Sequence, residues 1–143
     1  MISPRTGERI DTIYWIEGEY IKDAVNEISH FMRDWRVDAV KDIDIRTIDI
    51  MAASHNLMDT REPYTMLSGY RSASTNAMLR RRSRNVAKNS RHVLGQAADL
   101  RLKSRSVSQM SQAAAAIRSG GVGKYNRSNF VHMDCGPVRI WGA

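Results

Sequence analysis

With 143 residues, 42% of them hydrophobic and 26% charged, the chain has the size and make-up of one soluble globular unit whose core needs no disulfide staples. A single cysteine, Cys135, excludes an internal disulfide, and no apolar run approaches the length that spans a bilayer. The formal charge of +7 points to a polyanionic partner such as nucleic acid, an anionic membrane surface or an acidic wall polymer, but no helix-turn-helix, zinc-finger or RNA-binding signature accompanies it.

Met1 is followed by polar residues rather than by a basic and then apolar leader, so the expectation is a protein that stays inside or one from which a leader was removed. Residues 1–19 read as an extended, turn-rich arm carrying Arg5-Thr6-Gly7-Glu8 and the apolar patch Ile13-Tyr14-Trp15-Ile16. Ile21, Val25, Ile28, Phe31, Met32 and Trp35 recur at helical spacing and predict a helix from about Ile21 to Trp35 that packs on the core; His30 lies off this stripe. A second helix is expected from Asp44, a good N-cap, to Met58, with Ile45, Ile48, Met51, Ala52 and His55 on one face. His55 therefore reads as a helix-interface residue and not as a ligand.

Pro63 ends this helical half. Tyr64–Leu67 is a strand candidate leading into Ser68-Gly69-Tyr70-Arg71-Ser72, a turn that sets Tyr70 and Arg71 at a strand end. Ser74 or Thr75 caps a short expected helix through Leu79, and a basic loop, Arg80-Arg81-Arg82-Ser83-Arg84, follows. Ala97–Leu102 alternates as a strand, with Asp99 and Arg101 on one face and Leu100 and Leu102 on the other. A last helix runs from Ser106 or Ser108 to Ile117, with a glycine stop at Ser119-Gly120-Gly121. The remainder reads as a small antiparallel meander: 121–125, a turn at 126–129, 130–135 and a final edge at 138–141.

Two of these segments carry the chemistry. Asn89–Asp99 offers His92 and, seven positions on, Asp99, with Gly95 between them where the backbone can turn sharply. Phe130–Asp134 offers His132 and Asp134, which share one strand face while Val131, Met133 and Cys135 share the other. If the two segments are neighbouring strands, His92, Asp99 and His132 converge on one cation. Two imidazoles and a carboxylate suit zinc, and three protein ligands leave a fourth position for water, as a catalytic site requires.

Ser68-Gly69-Tyr70-Arg71-Ser72 with Asn76, Ser90-x-His92-x-x-Gly95-x-Ala97-x-Asp99, Gly120-Gly121-Val122-Gly123-x-Tyr125 and Phe130-Val131-His132-x-Asp134-x-Gly136-Pro137-Val138-Arg139-x-Trp141 together resemble the zinc D-Ala-D-Ala peptidase family, and within it the murein endopeptidase branch. Arg5-Thr6-Gly7-Glu8 and Arg33-Asp34-Trp35-Arg36 extend the likeness over nearly the whole chain. The resemblance implies an α+β fold of the lysostaphin, D-Ala-D-Ala peptidase and hedgehog type, a small antiparallel sheet with helices packed on one side, making one zinc peptidase domain of residues 1–143.

It further implies that His92, Asp99 and His132 bind Zn²⁺ and that metal-activated water hydrolyses D-amino-acid-containing cross-links of peptidoglycan. The protein would act as a monomer in the periplasm or cell envelope, in peripheral association with it and without a nucleic-acid partner. Arg71 is a candidate to stabilise the oxyanion or hold a substrate carboxylate, or else forms a strand-end salt bridge; Ser90 orients the His92 loop. Relatives carry a Glu three positions before the final His ligand, or a catalytic His two before it, where this chain has Asn129 and Phe130. Asp134 is left as the candidate base, or as the partner that fixes a His tautomer. Two other readings stay open: a D-Ala-D-Ala carboxypeptidase on the same site, and a non-catalytic basic module that binds wall polymer or nucleic acid.

Overall fold

The computed structural model describes residues 1–142. A hairpin of β1 (Trp15–Ile16) and β2 (Glu19–Tyr20) precedes α1 (Lys22–Phe31) and α2 (Ile45–Leu57). After β3 (Thr65–Ser68) come α3 (Ala73–Arg82), a 3₁₀ turn (Arg91–Leu94) and β4 (Ala97–Arg101). Then α4 (Val107–Ile117) leads to β5 (Gly121–Tyr125), β6 (Phe130–Asp134) and β7 (Arg139–Trp141). The architecture is α+β, as expected.

The main sheet has five strands in the order β3-β4-β6-β5-β7. β3 to β4, β4 to β6 and β6 to β5 are antiparallel, but β7 runs parallel to β5 with Gly121 opposite Arg139 and Gly123 opposite Trp141, so the expected meander is corrected at its last strand. The reason is steric. Both edges of β6 are already taken by β4 and β5, so the chain leaving Asp134 cannot turn back along its own strand and crosses to the free edge of β5.

Strand alternation divides the sheet into two chemistries. Ala98, Leu100, Val122, Val131 and Met133 are almost fully buried in one core with Ile48 and Met51 of α2 and Met110 and Ala114 of α4. Both helices contact the sheet and each other, and α1 adds Ile28 and Phe31 to the same core. Each of the larger side chains contributes roughly 1.5–3 kcal/mol by leaving water. The opposite alternation, Asp99 and Arg101 on β4 and His132 and Asp134 on β6, forms the other face.

Several boundaries move for identifiable reasons. α1 stops at Phe31, short of Trp35, because Asp34 pairs its backbone with Ala39 while its carboxylate accepts hydrogen bonds from Ser72 N (2.9 Å) and Ser72 Oγ (2.8 Å). Ser72 is thereby held in extended conformation and caps α3, its Oγ accepting from Thr75 N, so the helix begins earlier than a cap at Ser74 or Thr75. α3 also absorbs Arg80, Arg81 and Arg82 into its last turn, where cations complement the helix dipole; the basic loop is shorter than expected. α4 ends on Arg118, which adopts the left-handed conformation itself (φ 53°). Gly120 serves a different purpose from a helix stop: a Cβ there would overlap the backbone carbonyl of Asp134.

Candidate metal centre

His92 is placed by the backbone on either side of it. Ser90 accepts a hydrogen bond from His92 N at 3.3 Å and so caps the 3₁₀ turn, and Gly95, at φ 69°, ends it. No other residue fits easily at Gly95, since a Cβ would lie 2.6 Å from the Asp42 carbonyl oxygen in a conformation L side chains rarely adopt. The His92 ring is 2% exposed and its Nδ1 lies 2.7 Å from the Gly69 carbonyl oxygen. A carbonyl only accepts, so Nδ1 carries the hydrogen and Nε2 presents its lone pair.

Asp99 and His132 meet because β4 and β6 are neighbours and these two residues are directly opposite in the register. Asp99 Oδ1 lies 3.2 Å from His92 Nε2 and 3.0 Å from His132 Nδ1. All three ligand atoms fall within 4.8 Å of one another in a buried group able to hold a metal ion. The strand pairing on which the sequence reading depended is thus present, and the three residues named there are brought together.

The atoms around this group fix its orientation. Asp99 Oδ2 accepts from Arg71 Nη2 at 2.9 Å, and Arg71 Nε donates to Ser68 Oγ at 3.0 Å. Arg71 therefore forms the strand-end salt bridge, while its Nη1 makes no hydrogen bond among the described residues. His132 Nε2 donates to Asp134 Oδ2 at 2.7 Å, which turns Nδ1 toward Asp99. Asp134 is fully buried, and both its oxygens are engaged: Oδ2 also accepts from Arg139 Nη2 (2.8 Å), while Oδ1 accepts from Gly121 N (3.1 Å), Gly136 N (2.9 Å) and Arg139 Nη1 (3.0 Å).

The titration behaviour follows from this packing. Burial would raise the Asp99 carboxyl, but His92 and His132 outweigh it and hold the group well below the usual carboxylate range. Burial lowers His92. His132 also loses from burial, yet its hydrogen bonds to Asp134 and Asp99 push it up to about 9. At neutral pH the group thus keeps a proton on His132 between three atoms that are otherwise acceptors. The unpaired lone pair of His92 still faces the Asp99 carboxylate, an arrangement that a cation at the centre resolves. The donor set fits a metal.

Arg139 and Trp141 are the residues that sequence reasoning left without a role. They reach β6 by lying across β5, which is possible because β5 presents only Gly121 and Gly123 where they cross. A Cβ on Gly121 would overlap the Arg139 guanidinium, and one on Gly123 would lie 2.6 Å from the Trp141 ring. The Trp141 ring stands 5.2 Å from that of His132, with Arg139 Cζ 4.8 Å from its centre, and Trp141 Nε1 donates to Tyr125 Oη at 3.2 Å. The matching alternations Gly121-x-Gly123 and Arg139-x-Trp141 are the signal that marks them. His30 is exposed on α1, and His55 makes a 2.7 Å hydrogen bond through Nε2 to the Glu62 carbonyl, so neither joins the metal group, as expected.

A family model described as peptidoglycan L,D-endopeptidase MepK matches residues 1–141. Over 136 residues the chain is 44% identical to the peptidoglycan L,D-endopeptidase MepK of Escherichia coli K12, an alignment covering 95% of this chain and 75% of that protein. The protein of the same name from Shigella flexneri aligns with the same identity and coverage. A probable peptidoglycan L,D-endopeptidase MepK of Haemophilus influenzae is 39% identical over 137 residues, covering 95% of this chain and 74% of the relative.

Proposed function

The chain belongs to the peptidoglycan L,D-endopeptidase family, and from that membership we propose that it is a zinc-dependent hydrolase of D-amino-acid-containing peptide cross-links in peptidoglycan. The convergence of His92 Nε2, Asp99 Oδ1 and His132 Nδ1, each turned inward by a hydrogen bond on its far side, is the observation that carries the reading. Two nitrogens and one oxygen favour zinc over magnesium or calcium, which prefer all-oxygen sites. Bound there, zinc supplies Lewis acidity that polarises the scissile carbonyl and brings the pKa of water toward neutrality.

The protein's own groups have separate tasks. Asp134 holds the proton on His132 Nε2, so Nδ1 is the nitrogen turned to the cation once its own proton has left; with every acceptor position occupied, Asp134 orients His132 rather than taking a proton from water. Arg71 pins the outer oxygen of Asp99, so that only one oxygen faces the cation, and keeps Nη1 for a substrate carboxylate or the developing oxyanion. Trp141, Tyr125 and Phe130 extend the face that bears His132, the last two as stacked rings 4.5 Å apart. A peptidoglycan substrate supports a location in the cell envelope; no helix among the described residues is long and apolar enough to cross a membrane.

Digesting muropeptides of defined cross-link type and weighing the products tests this. Cleavage at a bond made by a D-amino acid centre, lost in His132→Ala, is expected; intact muropeptides after incubation with zinc-loaded protein would contradict it. Release of a terminal D-Ala alone would favour the carboxypeptidase reading.

A further inference from the structure

Two motifs that the metal centre leaves unused, Arg5-Thr6-Gly7-Glu8 and Arg33-Asp34-Trp35-Arg36, meet in space. Arg33 grips Glu8 through Nη1 (2.9 Å) and Nη2 (3.1 Å) and reaches Asp38 through Nε (2.8 Å), while Thr6 Oγ1 donates to Glu8 at 2.9 Å. Asp34, 1% exposed, binds Ser72 N and Oγ and the backbone N of Arg36. These contacts pin the arm to the 33–39 loop and that loop to the turn before α3.

The rest of each motif faces solvent. Trp35 is exposed, and two arginines converge on its ring, with Arg36 Cζ 4.5 Å and Arg5 Cζ 5.7 Å from the ring centre. Both arginines are exposed, and neither makes an ion pair among the described residues. Arg71, Arg5 and Arg82 all repel the Arg36 guanidinium, while Asp34, whose oxygens are held by Ser72 and by the Arg36 backbone N, attracts it. Arg71, one residue from the Ser72 anchor, also holds Asp99, so the turn that anchors this loop leads directly into the metal centre. Two exposed guanidinium groups without an ion-pair partner among the described residues, gathered on one indole, suit a ligand with negative charge.

We propose that Trp35, Arg5 and Arg36 form a subsite that binds the carboxylate-bearing arm of an acidic peptide substrate and holds it beside the metal centre. The proposal rests on the functional reading above, in which the substrate is a wall peptide with free carboxylates. Guanidinium forks take the carboxylates, and the Trp35 ring on which both stack holds the forks in place. Because these charges are solvent-exposed, the binding they supply weakens with salt.

The test is binding to the metal-free protein, followed by calorimetry, of a non-cross-linked acidic muropeptide and of the same peptide with its carboxylates amidated. In the Arg5→Ala/Arg36→Ala double variant the dissociation constant for the acidic peptide is expected to rise ~tenfold, and that for the amidated peptide to stay within about twofold. Trp35→Ala is expected to weaken the acidic peptide by loosening both arginines, and Arg5→Lys/Arg36→Lys to keep much of its binding with its salt dependence. Equal losses for both peptides, or an unchanged dissociation constant in the double variant, would overturn the subsite. Unchanged thermal unfolding confirms that the variants fold, as exposed side chains without hydrogen bonds predict. Cleavage by the zinc-loaded wild type reports separately on the enzyme: a protein that binds as predicted and cleaves nothing sinks the function and leaves the subsite standing.

Discussion

At the scale of single residues, the role of Asp134 decides how the centre works. A carboxylate that accepts from His132, from both Arg139 nitrogens and from two backbone amides is committed to structure, and its carboxyl lies well below the usual range despite burial. Replacing it by Asn keeps the shape but sets an amide N–H against Arg139 or His132. We expect Asp134→Asn to weaken zinc affinity by roughly 10- to 100-fold, with hydrolysis falling in parallel at limiting zinc. A variant that binds zinc normally and loses only turnover would return the base role to Asp134. His132 offers a second prediction. In the metal-free protein its pKa stands at about 9, so below that pH a proton must leave before Nδ1 can bind the cation. Zinc affinity should therefore rise with pH by about tenfold per unit up to roughly pH 9, with about one proton released per metal near neutrality; calorimetry in buffers of different ionisation enthalpy measures both. A flat profile would contradict the proton-for-metal exchange.

At the scale of elements, the pairing of β4 with β6 does most to assemble the site; both strands were legible, and their adjacency stood as a condition that the fold meets. The period-2 patterns of Ala97–Leu102 and Phe130–Asp134 already separated ligands from core, whereas Asp99 opposite His132 is a register that only the folded sheet supplies. The surroundings were not legible, because they depend on long-range placement. A backbone carbonyl such as that of Gly69 has no identity in a sequence. Arg139 reaches Asp134 only because β7 lands parallel on β5, and the parallel landing depends on both edges of β6 being filled. Helix ends shifted for a similar reason, since Asp34 captures Ser72 across 38 residues. Gly121 and Gly123 make the β7 arrangement testable. Gly123→Ala is expected to displace the Trp141 ring and cost about 1–3 kcal/mol by overpacking, seen as a lower unfolding midpoint. Gly121→Ala, by moving Arg139 off Asp134, should in addition weaken zinc binding. Equal zinc affinity in Gly121→Ala and wild type would show that the Arg139 contact does not support the centre.

For the whole molecule, one face of the sheet is core and the other is chemistry, so the metal centre sits on a fully buried apolar layer rather than on a mobile loop. A rigid base suits a site whose ligands must converge on one cation with little freedom to move. Metal that binds only the folded chain also stabilises it, by about 2.7 kcal/mol at a free zinc concentration 100 times the dissociation constant. The central claim is that His92, Asp99 and His132 hold one metal ion on which peptide hydrolysis depends. Titrating chelator-stripped protein with Zn²⁺ while following cleavage of a cross-linked muropeptide by mass spectrometry tests it most directly. The account predicts no cleavage before zinc, activity rising to a plateau at one zinc per chain, and no activity at any zinc concentration in His92→Ala or Asp99→Ala. Full cleavage by the stripped protein, or an unchanged plateau in either variant, would contradict it.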